Sequence, residues 1–355
     1  MKTRRLLGCI ILVTSSSLAL TACDPPMPPE VAAQIAEQSY TCIDGQIQIS
    51  AEPLMTDVAV GWADSLSYAC FDPEPIMGFS PVDNSITEVS GQISEYPSTC
   101  NPVQTVPVAV EAGVLVYMQS EIGALNLSPK SIAGILDGTI TNWNELGADN
   151  PGYEMPNMPL TVNPEADTLA LKSVLGYLSI TETPIGSNLL ASAVDRPSID
   201  NYSFLEEGQV AVVPNSYAVY LGLYPASIVV GFDDELQEQI LATPDLSGIQ
   251  SATTQWKYSS TTNEVTVILD PKVEPTPPEG SDSAYPPYQA IYPVNYYLCS
   301  DDSKIARAVG RFILRLDSQG SLGASNYSPL SEPIRIASLI EISKGLPTPT
   351  PTPTE

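Results

Sequence analysis

Ile135-Leu136-Asp137-Gly138-Thr139-Ile140-Thr141-Asn142-Trp143-Asn144-Glu145-Leu146, followed by Asn150-Pro151-Gly152 and then Leu160-Thr161-Val162, is the stretch that decides how this chain is read. A helical run, residues 131–136, leads into it, and a short β-rich run, 160–162, leads out. A second helical run, 168–178, follows. The same alternation extends to both sides: 46–50 precedes 54–68, 106–119 precedes 131–136, and 210–213 precedes 216–223. Short strands alternating with helices define an α/β chain.

The quoted stretch resembles a segment of the PstS-like phosphate-binding proteins of bacterial ABC transporters. Three further pieces follow in that family's order. Gly208-Gln209-Val210-Ala211-Val212-Val213-Pro214-Asn215-Ser216-Tyr217-Ala218 is similar to its strand with a Ser-Tyr-Ala sequel. Tyr292-Pro293-Val294-Asn295-Tyr296-Tyr297-Leu298 is similar to its returning hinge strand, and Tyr327-Ser328-Pro329-Leu330 to its terminal Tyr-x-Pro-Leu. No single piece is specific; four in order are. The resemblance covers roughly residues 106–340 and implies a type II periplasmic-binding-protein-like fold: two α/β lobes joined by hinge strands near 106–118 and 291–298. The first lobe then comprises 40–105 and, with the second hinge strand, 291–345. The second comprises 106–290 and carries a proline-rich insertion at 271–287. The resemblance implies a small-molecule ligand held between the lobes, an ABC permease as partner, and contacts from Ser50, Ser80, Glu165 and Thr168. It also suggests, among the three pairings open to four cysteines, Cys42 with Cys70 and Cys100 with Cys299, the latter flanking the hinge; free buried thiols are the alternative.

The loops that would hold phosphate are altered. Where the family has Arg-Ser-Asp-Gly-Ser-Gly-Thr at a helix start, this chain has Pro164-Glu165-Ala166-Asp167-Thr168-Leu169-Ala170. Its first loop, Ile49-Ser50-Ala51-Glu52-Pro53-Leu54, has Ala51 for an aromatic, and Phe79-Ser80-Pro81-Val82-Asp83-Asn84-Ser85 lacks the glycines of the second. A helix start offers unpaired N–H groups and partial positive charge to an anion. Here Asp167 stands at the N-cap, so the protein supplies its own anion. Glu165 adds a second charge, and no arginine replaces the one the family would place at Pro164. The spacing Ser85-x-x-Glu88 predicts a capping box on another helix. The ligand expected from these changes is neutral or cationic, with true phosphate binding as the minority reading.

The amino terminus addresses the chain to the cell envelope. Met1-Lys2-Thr3-Arg4-Arg5 is a basic segment, residues 6–20 a short apolar run, and Leu20-Thr21-Ala22-Cys23 resembles a lipobox. Residues 1–22 read as a lipoprotein signal peptide, because the run is too short for a membrane span. Cys23 is the expected lipidation site, and 23–39 a membrane-anchored linker facing the periplasm or the cell surface. The 333 residues left after processing exceed one comfortable core. Processing removes three cations and no acid, taking the net charge from −27 to −30. Such a field repels nucleic acid and does not steer phosphate inward.

The chain contains no histidine, so imidazole-based nucleophile systems are excluded. No Cys-x-x-Cys metal spacing, phosphate loop or Gly-x-Ser-x-Gly is present. The expectation is a monomeric binding protein, not an enzyme, with neither cofactor nor metal. Residues 303–316 predict an amphipathic helix with Ile305, Val309, Phe312, Ile313 and Leu316 inward, and Arg307, Arg311 and Arg315 on another face, either a solvated one pairing with nearby acids or a basic stripe that docks a partner such as a permease. Tyr285, Tyr288 and Tyr292 are candidates to line a cleft beside the hinge. The Pro/Thr tail, 346–355, reads as extended and disordered. Two functions fit: a solute-binding lipoprotein that closes on its ligand, or the same fold with a degenerate cleft, used for sensing or envelope contacts.

Overall fold

The apolar run near residue 106 folds as one long strand, Gln104–Met118, buried along nearly its whole length. The computed structural model describes residues 31, 37, 40–86, 88–203, 205–277, 283–299 and 303–347. The expected signal peptide, Cys23, nearly all of the linker and most of the Pro/Thr tail lie outside these. Antiparallel to the first strand runs Ile291–Leu298, the second hinge strand, from Ile291 opposite Ala112 to Leu298 opposite Gln104. Both are near-continuous apolar runs because helices and loops cover both faces, leaving no solvated side to alternate toward.

The two hinge strands carry a ten-stranded sheet that spans both lobes. On the first-lobe side the second hinge strand pairs with Gly91–Ser94, which continues through Gly45–Ala51 to Met77–Asp83 as parallel neighbours. On the second-lobe side the far half of the first hinge strand pairs antiparallel with Gln209–Pro214, which in turn pairs with Thr161–Val162. A parallel ladder of three residues, Glu165–Asp167 with Ser192–Val194, sits at the lobe boundary. The protein is therefore α/β and two-lobed, with the hinge strands where the sequence placed them.

The deciding stretch folds as its pattern requires. The helix Pro129–Asp137 ends on Gly138, whose φ of 77° is open to glycine at little cost. Asn142 and Glu145 then form a reciprocal capping box on the short 3-10 turn Trp143–Asp149. Trp143 is fully buried and donates its indole N–H to Gly208 O at 3.0 Å, tying this turn to the strand Gln209–Pro214. Gly113 has a different purpose: a Cβ there would collide with Ala170 O and Ser173 Oγ. Its absence lets the helix Thr168–Ile180 lie directly on the hinge strand.

Three expectations need correction. Arg307, Arg311 and Arg315 are buried, not solvated, and Leu316 is exposed. The helix ends at Ile313 and Arg315 turns to an extended backbone (φ −64°, ψ 151°), so the helical repeat that assigned faces to 315 and 316 no longer holds. Arg307 bonds Gln104, Arg315 pairs with Asp317 at 3.1 Å and lies 4.2 Å over the Tyr40 ring, and Glu37 reaches the neighbouring Arg335. Second, among the described residues no helix follows Ser85; Asp83 Oδ1 accepts Ser85 N at 2.8 Å in a tight turn. Third, the hairpin Trp256–Thr261/Glu264–Leu269 is not confined to the second lobe. It joins the sheet at Thr105, and Ser260 bonds Glu341 in the carboxy-terminal helix Glu332–Ile342.

Cys42 is bonded to Cys70 and Cys100 to Cys299. The second pair joins the chain just before the first hinge strand to the chain just after the second, so it holds the first-lobe ends of both strands together. Among the described residues no helix is long and apolar enough to cross a membrane.

Candidate functional site

The strand Gly45–Ala51 delivers Glu52 to the lobe boundary, where it is 5% exposed. Its Oε2 accepts from Asn84 Nδ2 at 2.7 Å. Its Oε1 accepts from Ser94 Oγ and from two atoms of an arginine of the other lobe, Arg196 Nη2 at 3.1 Å and Nε at 3.2 Å. Arg196 follows the short ladder in which Val194 pairs with Asp167, and that register places it beside the start of the helix Thr168–Ile180. Its guanidinium carbon lies 4.3 Å from the centre of the Tyr96 ring. Tyr96 completes the bridge by donating its hydroxyl to Asp167 Oδ2.

Asp167 caps its helix as the sequence predicts: Oδ1 accepts Leu169 N and Ala170 N, both at 2.9 Å. Inside the first hinge strand Glu111 does something similar, with Oε1 accepting Ala112 N at 2.7 Å and Oε2 accepting Ser216 N at 3.3 Å. Glu95 receives hydroxyls from Tyr327 at 2.9 Å and Tyr292 at 3.4 Å. The result is four buried carboxylates, Glu52, Glu95, Glu111 and Asp167, of which Glu52 is paired with Arg196. Among the described residues no three acidic, cysteine or histidine side chains converge as a metal site requires.

Burial raises three of these carboxylates, Glu95, Glu111 and Asp167. It pushes Glu111 up to about 8 against the bonds from Ser216 and Ala112 that favour the anion. Glu95 is held well above the usual carboxylate range, first by burial and then by the charges of Glu111, Asp167 and Glu52. Asp167 is raised by burial although Tyr96 and the helix amides oppose this. The tyrosines Tyr96, Tyr217, Tyr292 and Tyr327 are raised by burial, and nearby carboxylate charges add to the shift. At neutral pH they are donors.

Two cavities flank the bridge and share no lining residue. One, about 560 Å³, is lined by Glu52, Asn84 and Asn326 from the first lobe and by Arg196, Ser216 and Tyr220 from the second. The other, about 550 Å³, lies behind the hinge between Glu95, Tyr292, Asn295, Lys172 and Trp256. Ser50 Oγ, Ser216 Oγ and Asn215 Oδ1 are buried with no hydrogen-bond partner among the described residues. The lining offers carboxylates, hydroxyls and aromatic faces together with two cations, Arg196 in the first cavity and Lys172 in the second.

Of the four residues expected at the site, Ser50 is fully buried two positions before Glu52, and Thr168 opens the helix capped by Asp167. Glu165 instead accepts from Asn201. Ser80 is exposed on the strand Met77–Asp83 opposite Gln48 and lines neither cavity. Asn84, four residues on, lines the first cavity and bonds Glu52. Of the three hinge tyrosines, Tyr292 reaches the site, Tyr288 is buried with its hydroxyl on Gly113 O at 2.9 Å, and Tyr285 lines a separate cavity beside Ser251. Glu111 carried a visible signal, as the one acid in the apolar run 106–118. Glu95, Tyr96 and Arg196 carried none.

This fold, two lobes on a shared pair of long strands, is similar to that of several phosphate-binding proteins of known structure. A high-affinity periplasmic phosphate-binding protein, PfluDING, aligns over 82% of this chain and 92% of its own with a TM-score of 0.53 and 12% identity. A DING protein (13% identity) and the ancestral soluble variant of the human phosphate binding protein (12%) each align over 82% of this chain and 93% of theirs with TM-scores of 0.52. No protein-family model matches the sequence, and no curated protein matches it. The fold is thus shared with phosphate-binding proteins at very low identity.

Proposed function

We propose that this chain is an extracytoplasmic solute-binding lipoprotein, anchored through Cys23, that closes its lobes on a neutral or cationic solute and passes it to an ABC permease. The carrying observation is Asp167. Its carboxylate takes two of the free amides at the start of the helix Thr168–Ile180 and is itself buried, so an anion there would have to compete with it for those donors. A phosphate placed there would meet the carboxylate of Asp167, and the nearby Arg196 is already paired with Glu52.

One observation favours a second reading, a non-transport module with a degenerate cleft: the Glu52–Arg196 and Tyr96–Asp167 contacts join the lobes through the protein's own side chains. Isothermal titration of the soluble domain with phosphate, followed by a thermal-shift screen of neutral and cationic solutes, separates the readings. No heat with phosphate and a clear shift with another solute is the expected result. Micromolar phosphate binding refutes the proposal, and silence throughout selects the degenerate module.

A further inference from the structure

The pairing of Arg196 with Glu52 is less complete than a buried ion pair usually is. Guanidinium and carboxylate prefer two parallel bonds to two oxygens, yet both Arg196 donors fall on Oε1, because Asn84 holds Oε2. The Arg196 backbone has φ +49°, a left-handed conformation unfavourable to an L residue other than glycine. Its side chain is 34% exposed while that of Glu52 is 7% exposed. The acid is built in, and the base reaches it from a surface loop. A cation so placed can be exchanged, but not simply removed, since an unpaired buried carboxylate is costly.

We propose, building on the solute-binding reading above, that Glu52, Ser94 and the face of Tyr96 form a subsite for a guanidinium or ammonium group, which Arg196 fills in this structure and yields to a solute bearing such a group. The subsite has each element that recognition of an organic cation requires. Glu52 Oε1 supplies charge and Ser94 Oγ, 3.3 Å from Arg196 Nη2, a second acceptor. The Tyr96 ring supplies a cation–π face at 4.3 Å. The remainder of the solute extends into the adjoining 560 Å³ cavity, a volume ordinary for small-molecule sites. There the fully buried Ser216 is part of the lining. Selectivity follows from charge: a neutral or anionic solute that displaced Arg196 would strand Glu52, whereas a cation replaces what it removes.

The test removes the tethered guanidinium and offers a free one. R196A is expected to melt below wild type and to regain at least half of the loss in millimolar methylguanidinium or agmatine, but not in equal potassium chloride. R196A should bind agmatine about tenfold more tightly than wild type, in which Arg196 competes for the subsite. The double variant R196A/E52Q should lose the response. R196Q, which keeps side-chain volume, repeats the experiment if R196A does not fold. A folded R196A or R196Q that responds no more to guanidinium compounds than to potassium chloride overturns the proposal, as does an equal response in the double variant. If wild type binds a solute with affinity unchanged by E52Q, this subsite is wrong while the solute-binding function stands. If no solute binds wild type but R196A is rescued, the reverse holds.

Discussion

Glu111→Gln isolates the electrostatics of the site. Glu111 is 1% exposed, and burial raises it from 4.5 to about 8. An acid whose folded value lies above its unfolded value binds a proton in the native state that the unfolded chain has already released. Its favourable contribution is therefore fully present below pH 4.5 and is lost as pH rises toward 8. At about 1.4 kcal/mol per pH unit, a window of this width corresponds to a loss on the order of 5 kcal/mol from this one group. The substituted glutamine does not titrate, but its amide would face Ser216 N, donor against donor, at a cost of about 1 kcal/mol. The variant should thus be slightly less stable than wild type at about pH 5 and clearly more stable at about pH 8, with curves that cross between. Urea denaturation at half-unit pH steps measures this directly. Parallel curves for variant and wild type would refute the assignment of a buried, proton-holding Glu111.

Tyr96→Phe removes the hydroxyl donated to Asp167 across the lobes; it should cost about 1–2 kcal/mol and enlarge the radius of gyration measured by small-angle scattering, whereas an unchanged radius would deny the link a closing role. Gly113→Ala drives a Cβ into Ala170 O, and a loss of about 1–3 kcal/mol is expected by denaturation. Glu37→Ala strips buried Arg335 of one of its two acidic partners and should lower stability by about 2 kcal/mol, since Glu332 remains at 2.8 Å. Replacing Cys100 and Cys299 by serine frees a loop of 199 residues and should destabilise the protein by up to about 5 kcal/mol on the chain-entropy model. A melting temperature unchanged by that double substitution would argue against a bond between them.

The sequence by itself determined the alternation of strands and helices and the cap at Asp167, while the two long strands as hinges and the disulfide pairing were suggested only with the help of family resemblance. The alternation and the cap are local properties: apolar periodicity and an acid before a helical run act over a few residues and are written in the chain. The site was legible only where it shared that locality. Asp167 could be read because an N-cap is defined by its own next three residues, and Glu111 stood out against its apolar strand. Arg196 could not be read, because a three-residue ladder of Val194 on Asp167 carries it to Glu52, 144 positions away. The arginines at 307, 311 and 315 were misplaced for the same reason. Periodicity assigns faces to a helix but does not say what will cover them, and here the polar face was covered by Tyr40 and Gln104. Burial is a property of the assembled fold, and burial is what joins the lobes through Glu52 and sets the charge of the carboxylates between them.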